Sequence, residues 1–184
     1  MKFARSLLFL ALVSSLHAQS EPIKEPINFG GKTYTLGFSK GNAASASLKS
    51  LREYVPKGET VENWTSMLAR HEFSGVSAAD LAKGMQKQAK ADNAEPSLTT
   101  STGSNGQKEF FLDFVMIKPE GTKFTMEWNG WRIVSVPGGA VALQFVMRAK
   151  ATPDASEAVL AKLTKAFESV GAAKALRQLD PDKM

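Results

Sequence analysis

Residues 109–147 read EFFLDFVMIKPEGTKFTMEWNGWRIVSVPGGAVALQFVM, and the alternation in this stretch decides the fold class. From Glu109 to Ile117, one face carries Phe110, Leu112, Phe114 and Met116. The other face, Phe111, Asp113, Val115 and Ile117, is also mostly apolar, as in a central strand covered on both sides. Pro119-Glu120-Gly121-Thr122 and Pro137-Gly138-Gly139 read as turns. Between and after them lie further strands, the last with Val141, Leu143, Phe145 and Met147 alternating against Ala142, Gln144, Val146 and Arg148.

Within this run, Asn129-Gly130 is the strongest two-residue hairpin signal in the chain. A hairpin there sets Trp128 opposite Trp131, Glu127 opposite Arg132 and Met126 opposite Ile133. One face would be aromatic and aliphatic, and the other would hold a charge pair directly across the strands.

Working toward the N-terminus, Ser97–Thr102 reads as a Thr-rich strand closed by Gly103-Ser104-Asn105-Gly106. Two helices are expected before it. Ser77 and Asp80 form a capping box for the second, whose stripe is Leu81, Ala82, Met85 and Ala89. Thr60 would cap the first, with Val61, Trp64, Met67, Leu68 and His71 at helical spacing. Earlier still, Leu48–Val55 reads best as a strand, a helix being the alternative, and Thr33–Phe38 alternates as a half-buried strand. Residues 19–32 form an extended leader.

Toward the C-terminus, Thr152, Pro153 and Asp154 open a helix. Its apolar stripe is Val159, Leu160, Leu163, Phe167 and Val170, and Gly171 stands at its end. Residues 172–179 can add a short helical turn before a polar tail, 180–184. The order gives an α+β class: an antiparallel sheet of about six or seven strands, two helices after the second strand, and a C-terminal helix, all packed on the sheet. Residues 33–184 form a single domain.

The first 18 residues have the layout of a secretory signal peptide. Lys2 and Arg5 precede the apolar run 7–13, and Ala18 offers a small residue for cleavage. That run is about half the length a bilayer core requires, and no later stretch is long and apolar enough to span one. A periplasmic or secreted product is expected. Losing Lys2 and Arg5 takes the formal net charge from +5 to +3, spread without a basic run. Nucleic acid is therefore not an expected partner; an envelope protein or polymer is. The chain has no cysteine, which excludes disulfides and thiol chemistry.

Motifs for catalysis, metals and nucleotides are missing: there is no G-x-S-x-G elbow, calcium loop, P-loop or dinucleotide fingerprint. No cofactor is called for. After the signal peptide one histidine remains, His71, flanked by Arg70 and Glu72. It reads as a structural histidine on the packed stripe, the alternative being a hydrolase that uses it with Arg70 or Glu72. Trp64, Trp128 and Trp131 are the other candidates for a binding or polar site, together with Arg132. Large apolar rings favour the core for Trp128 and Trp131; side-by-side exposure would instead mark a binding face. Asn63-Trp64-Thr65 is formally a glycosylation acceptor, but the expected burial of Trp64 argues against its use.

Tyr54-Val55-Pro56-Lys57-Gly58, running on to Trp64-Thr65, resembles a Y-x-P-x-G…W-T stretch of small uncharacterised exported bacterial proteins. The order of elements resembles the Mog1/PsbP-like α/β/α sandwich. That resemblance implies a non-enzymatic binding or accessory domain of the cell envelope and carries no functional residue with it.

Overall fold

The computed structural model describes residues 26–41, 47–103 and 106–184; the expected signal peptide lies outside them. The strands are β1 (Ile27–Phe29), β2 (Lys32–Gly41), β3 (Leu48–Pro56), β4 (Ser66–Ser74), β5 (Ser97–Thr102), β6 (Lys108–Glu120), β7 (Lys123–Val136) and β8 (Gly139–Ala151). The helices are α1 (Ala78–Ala91), α2 (Ser156–Val170) and α3 (Ala172–Gln178). All eight strands join one antiparallel sheet in the order β1-β2-β3-β4-β8-β7-β6-β5. The leader thus supplies a first strand, and the sheet is larger than the six or seven strands expected.

Helices cover both faces. On one, α1 presents Ala78, Ala82 and Ala89 to Phe110, Leu112, Ile133 and Ala142; alanines let the helix approach the sheet closely. On the other, Phe167 of α2 and Ala172 and Leu176 of α3 pack on Tyr54, Leu68, Leu143 and Phe145. Ser77 caps α1 as expected: its hydroxyl accepts from the Asp80 amide at 3.1 Å and donates to the Asp80 carboxylate at 2.7 Å. Thr152 makes no capping bond, and Pro153–Ala155 form a 3-10 turn before α2. Gly171, at φ 60°, is the left-handed joint between α2 and α3.

Two expectations fail. The first of the two expected helices, capped by Thr60, is strand β4. Ser66 to His71 are buried without a break, because β4 lies mid-sheet between β3 and β8. A strand buried on both faces loses its period of two, and Trp64, Met67, Leu68 and His71 then fall at helical spacing by coincidence. One helix therefore follows β4, where two were expected after the second strand.

The second failure is the hairpin. β7 runs straight through Asn129 and Gly130, and neither has positive φ. The type I′ turn therefore does not form. Glu127 faces Arg148 and Arg132 faces Leu143, so neither charge faces the other. Trp128 and Trp131, three residues apart on one strand, point to opposite faces. Gly130 has a different reason to be glycine: a Cβ there would lie 2.7 Å from the Phe167 ring of α2.

A candidate binding cleft beneath the C-terminal segment

One transverse row of the sheet assembles the site. Register places Arg52 of β3 beside Arg70 of β4, Arg70 beside Leu143 of β8, and Leu143 beside Arg132 of β7. Three guanidinium groups thus share one face within four strands. Like charges directly opposite across strands are destabilising, so the row needs partners. Arg132 forms a bidentate pair with Glu109, at 2.6 and 3.1 Å, with both side chains about nine-tenths buried. Arg70 donates to Glu72 at 3.0 Å. Lys49 and Arg70, both hydrogen-bonded to the Glu72 carboxyl, pull its pKa down to about 2.

The remaining guanidinium donors meet main chain. Arg132 Nη1 donates to the carbonyls of Leu176 and Leu179, at 3.1 and 2.8 Å. Arg70 Nε donates to Pro181 O at 2.9 Å, and Arg52 Nη1 to Met184 O at 2.7 Å. Residues 179–184, which include the expected polar tail 180–184, therefore cross the sheet as a strap. Met184 is only 1% exposed and joins the core around Tyr54 and Leu143.

Between this strap and the end of the sheet opens a cleft of about 680 Å³. Val134, Val136 and Val141 contribute apolar lining, and Arg70, Arg132 and Arg177 are among its charged residues. Arg177 stacks its guanidinium 4.3 Å from the centroid of Phe111. Glu72, Glu109, Asp180 and Asp182 also line it, so the cleft carries both signs of charge.

Of the sequence-derived candidates, Arg70, Glu72 and Arg132 come together here. The others do not. Trp128 shares this face but stacks on Phe167 with ring centroids 5.0 Å apart. Trp131, 5% exposed, packs beneath α1 on the opposite face. Trp64 lies buried under Arg148, whose guanidinium sits 3.6 Å from the ring centroid. The tryptophans therefore belong to the packed interior and form no joint surface. Arg52, Glu109 and Arg177 went unselected in the sequence. The first two each sit beside a second charge, Glu53 and Lys108 in turn, and no sequence signal sets either apart.

His71 is buried on the α1 face. Its strand neighbours Arg70 and Glu72 project through the other face, so no dyad with either is assembled. Its Nε2 lies 3.1 Å from Gln144 Oε1, and Gln144 Nε2 donates to Asn129 Oδ1 at 2.9 Å. Asn129 Nδ2 donates in turn to the Glu127 carbonyl. That carbonyl can only accept, so the direction of the whole chain is fixed and His71 carries its proton on Nε2. Burial lowers the His71 pKa to about 4, against the opposing effect of the Gln144 bond.

An unfolded chain takes up a proton near pH 6.5 that the folded chain refuses until about pH 4, so stability falls as pH drops through that window. A His71→Gln variant should lose less melting temperature than the wild type between pH 7 and pH 4. Equal losses would mean that the imidazole does not set the acid slope.

A model of an uncharacterised bacterial protein family matches residues 22–180. The chain belongs to that family. No curated protein and no solved structure matches the chain. Within the family match lie the whole sheet and all three arginines of the row; only the last four residues of the strap fall beyond it.

Proposed function

We propose that this member of the family is a non-enzymatic binding or accessory domain of the bacterial cell envelope, and that the cleft under the C-terminal strap is its binding site. The observation that carries the reading is that Arg70 and Arg132, both buried, line an open cleft, with the half-buried Arg52 beside Arg70 in the same row. Burying guanidinium groups costs several kcal/mol each, and apolar side chains of similar volume often stabilise as well or better. Their retention suits recognition better than packing. The neutral, enclosed His71 supports the same reading, because a general base must reach a substrate proton.

Helices on both faces of the sheet are in keeping with the Mog1/PsbP-like resemblance, an analogy that favours accessory roles. The leader layout of residues 1–18 supports export to the periplasm or beyond.

Affinity capture from envelope extract tests the proposal. Gln178, exposed at the cleft, tolerates replacement without loss of a core contact. Wild-type protein should retain a component that a Gln178→Trp variant of equal melting temperature does not. Identical recovery by both proteins would remove the cleft as the binding site.

A further inference from the structure

We infer that the cleft's ligand is an extended polypeptide segment of a partner protein, and that the strap 179–184 is its resident competitor. This rests on the binding-domain reading above and names the ligand class for the same site.

The strap shows what the arginine row recognises. Leaving Leu176 at the end of α3, the chain passes from Arg132 to Arg70 to Arg52, giving each a main-chain oxygen from Leu179, Pro181 and Met184 in turn. Arg52 and Arg70 stand on adjacent strands about 4.8 Å apart, and Arg132 stands two strands from Arg70, with β8 between them; the strap's main-chain oxygens follow this uneven spacing. None of these three bonds reads a strap side chain, so the row selects main-chain oxygens at this spacing and not a particular sequence. Selectivity is left to apolar anchors: Leu179 packs against the core and Met184 enters it. Glu72 and Glu109 already pair with Arg70 and Arg132, so little of the charge of these two arginines is left for a simple anion, and their remaining donors suit main-chain oxygens.

The geometry also accounts for how the groove stays soluble before a partner arrives. Without the strap, three guanidinium groups and the apolar floor would face water together. A tethered occupant covers them at an effective concentration of about millimolar. A partner segment with apolar residues spaced like Leu179 and Met184 would displace it.

The probe is an acetylated peptide with the sequence of residues 176–184, LRQLDPDKM, added to the full chain. Binding is read from the Nε–H resonance of Arg70 and from hydrogen exchange of the 182–184 amides. The wild type should bind weakly, the strap competing. Met184→Asp unseats the strap and should raise peptide affinity about tenfold or more. Arg70→Lys on that background, which keeps the charge but loses the bond to Pro181 O, should abolish the gain. Free exchange at 182–184 in Met184→Asp without peptide binding would overturn the inference. If the strap stays protected in Met184→Asp, Leu179→Asp/Met184→Asp replaces it. Protection that persists there, or loss of folding, also overturns it, since the strap would then be a fixed part of the structure. Failure of the peptide while Gln178→Trp still abolishes envelope capture would leave the cleft standing as a site for some other ligand.

Discussion

Arg132→Ala should destabilise the domain by about 3–5 kcal/mol, because it leaves the buried Glu109 carboxylate without its partner. The same truncation takes the guanidinium donor from the carbonyls of Leu176 and Leu179, and Leu176 keeps only the Leu179 amide. Denaturant melts measure the loss. The double variant Glu109→Leu/Arg132→Met makes the measurement specific. It removes both charges and refills the volume, so it should recover much of the stability lost in Arg132→Ala. A double variant as unstable as the single one would place the loss in packing and not in the unpaired carboxylate.

Trp131→Ala is expected to cost about 3–5 kcal/mol, in the range for a large core aromatic. Its ring lies 5.0 Å from the His71 ring and beneath α1, so truncation opens a void against a helix that contributes small alanines and cannot swell to fill it. Trp131→Phe should cost far less: it keeps much of the ring and removes an Nε1–H that finds no acceptor. A Trp131→Ala protein as stable as the wild type would put this ring at the surface.

Trp131 also shows what could be read in the sequence and what could not. β5, β6 and β8 announce themselves by alternation, and α1 by its Ser77–Asp80 cap, since those signals are local. Asn129-Gly130 is local too, and it misled. Turn propensity there is overridden by tertiary pairing: β7 has β6 on one side and β8 on the other along nearly its whole length. Gly130 answers instead to Phe167, a residue of α2 on a distant part of the chain. β4 was lost for a related reason, because a strand buried on both faces has no polar face to mark its period. Arg70, Glu72 and Arg132 were legible as candidates because charges are conspicuous in apolar strands. Their convergence was not, because it depends on β8 lying between β4 and β7, and no local pattern states strand order.

That strand order bears on how the chain reaches its native state. α1 carries the chain from β4, in the middle of the sheet, to β5 at its far edge, and the meander then works back until Ser66 meets Met147 and Ser74 meets Gly139. The centre of the sheet is therefore closed by the last strand to be synthesised. Until β8 arrives, β4 is an open edge that carries Met67, Leu68, Ala69 and Phe73 with nothing to zip against, and the loop to be closed spans much of the chain. Long-range closure of this kind slows folding and prolongs the exposure of unpaired strands. For a polypeptide of this design the dangerous interval is the one before β8 docks, and a chaperone holding the β4 edge would act where the risk of self-association is greatest.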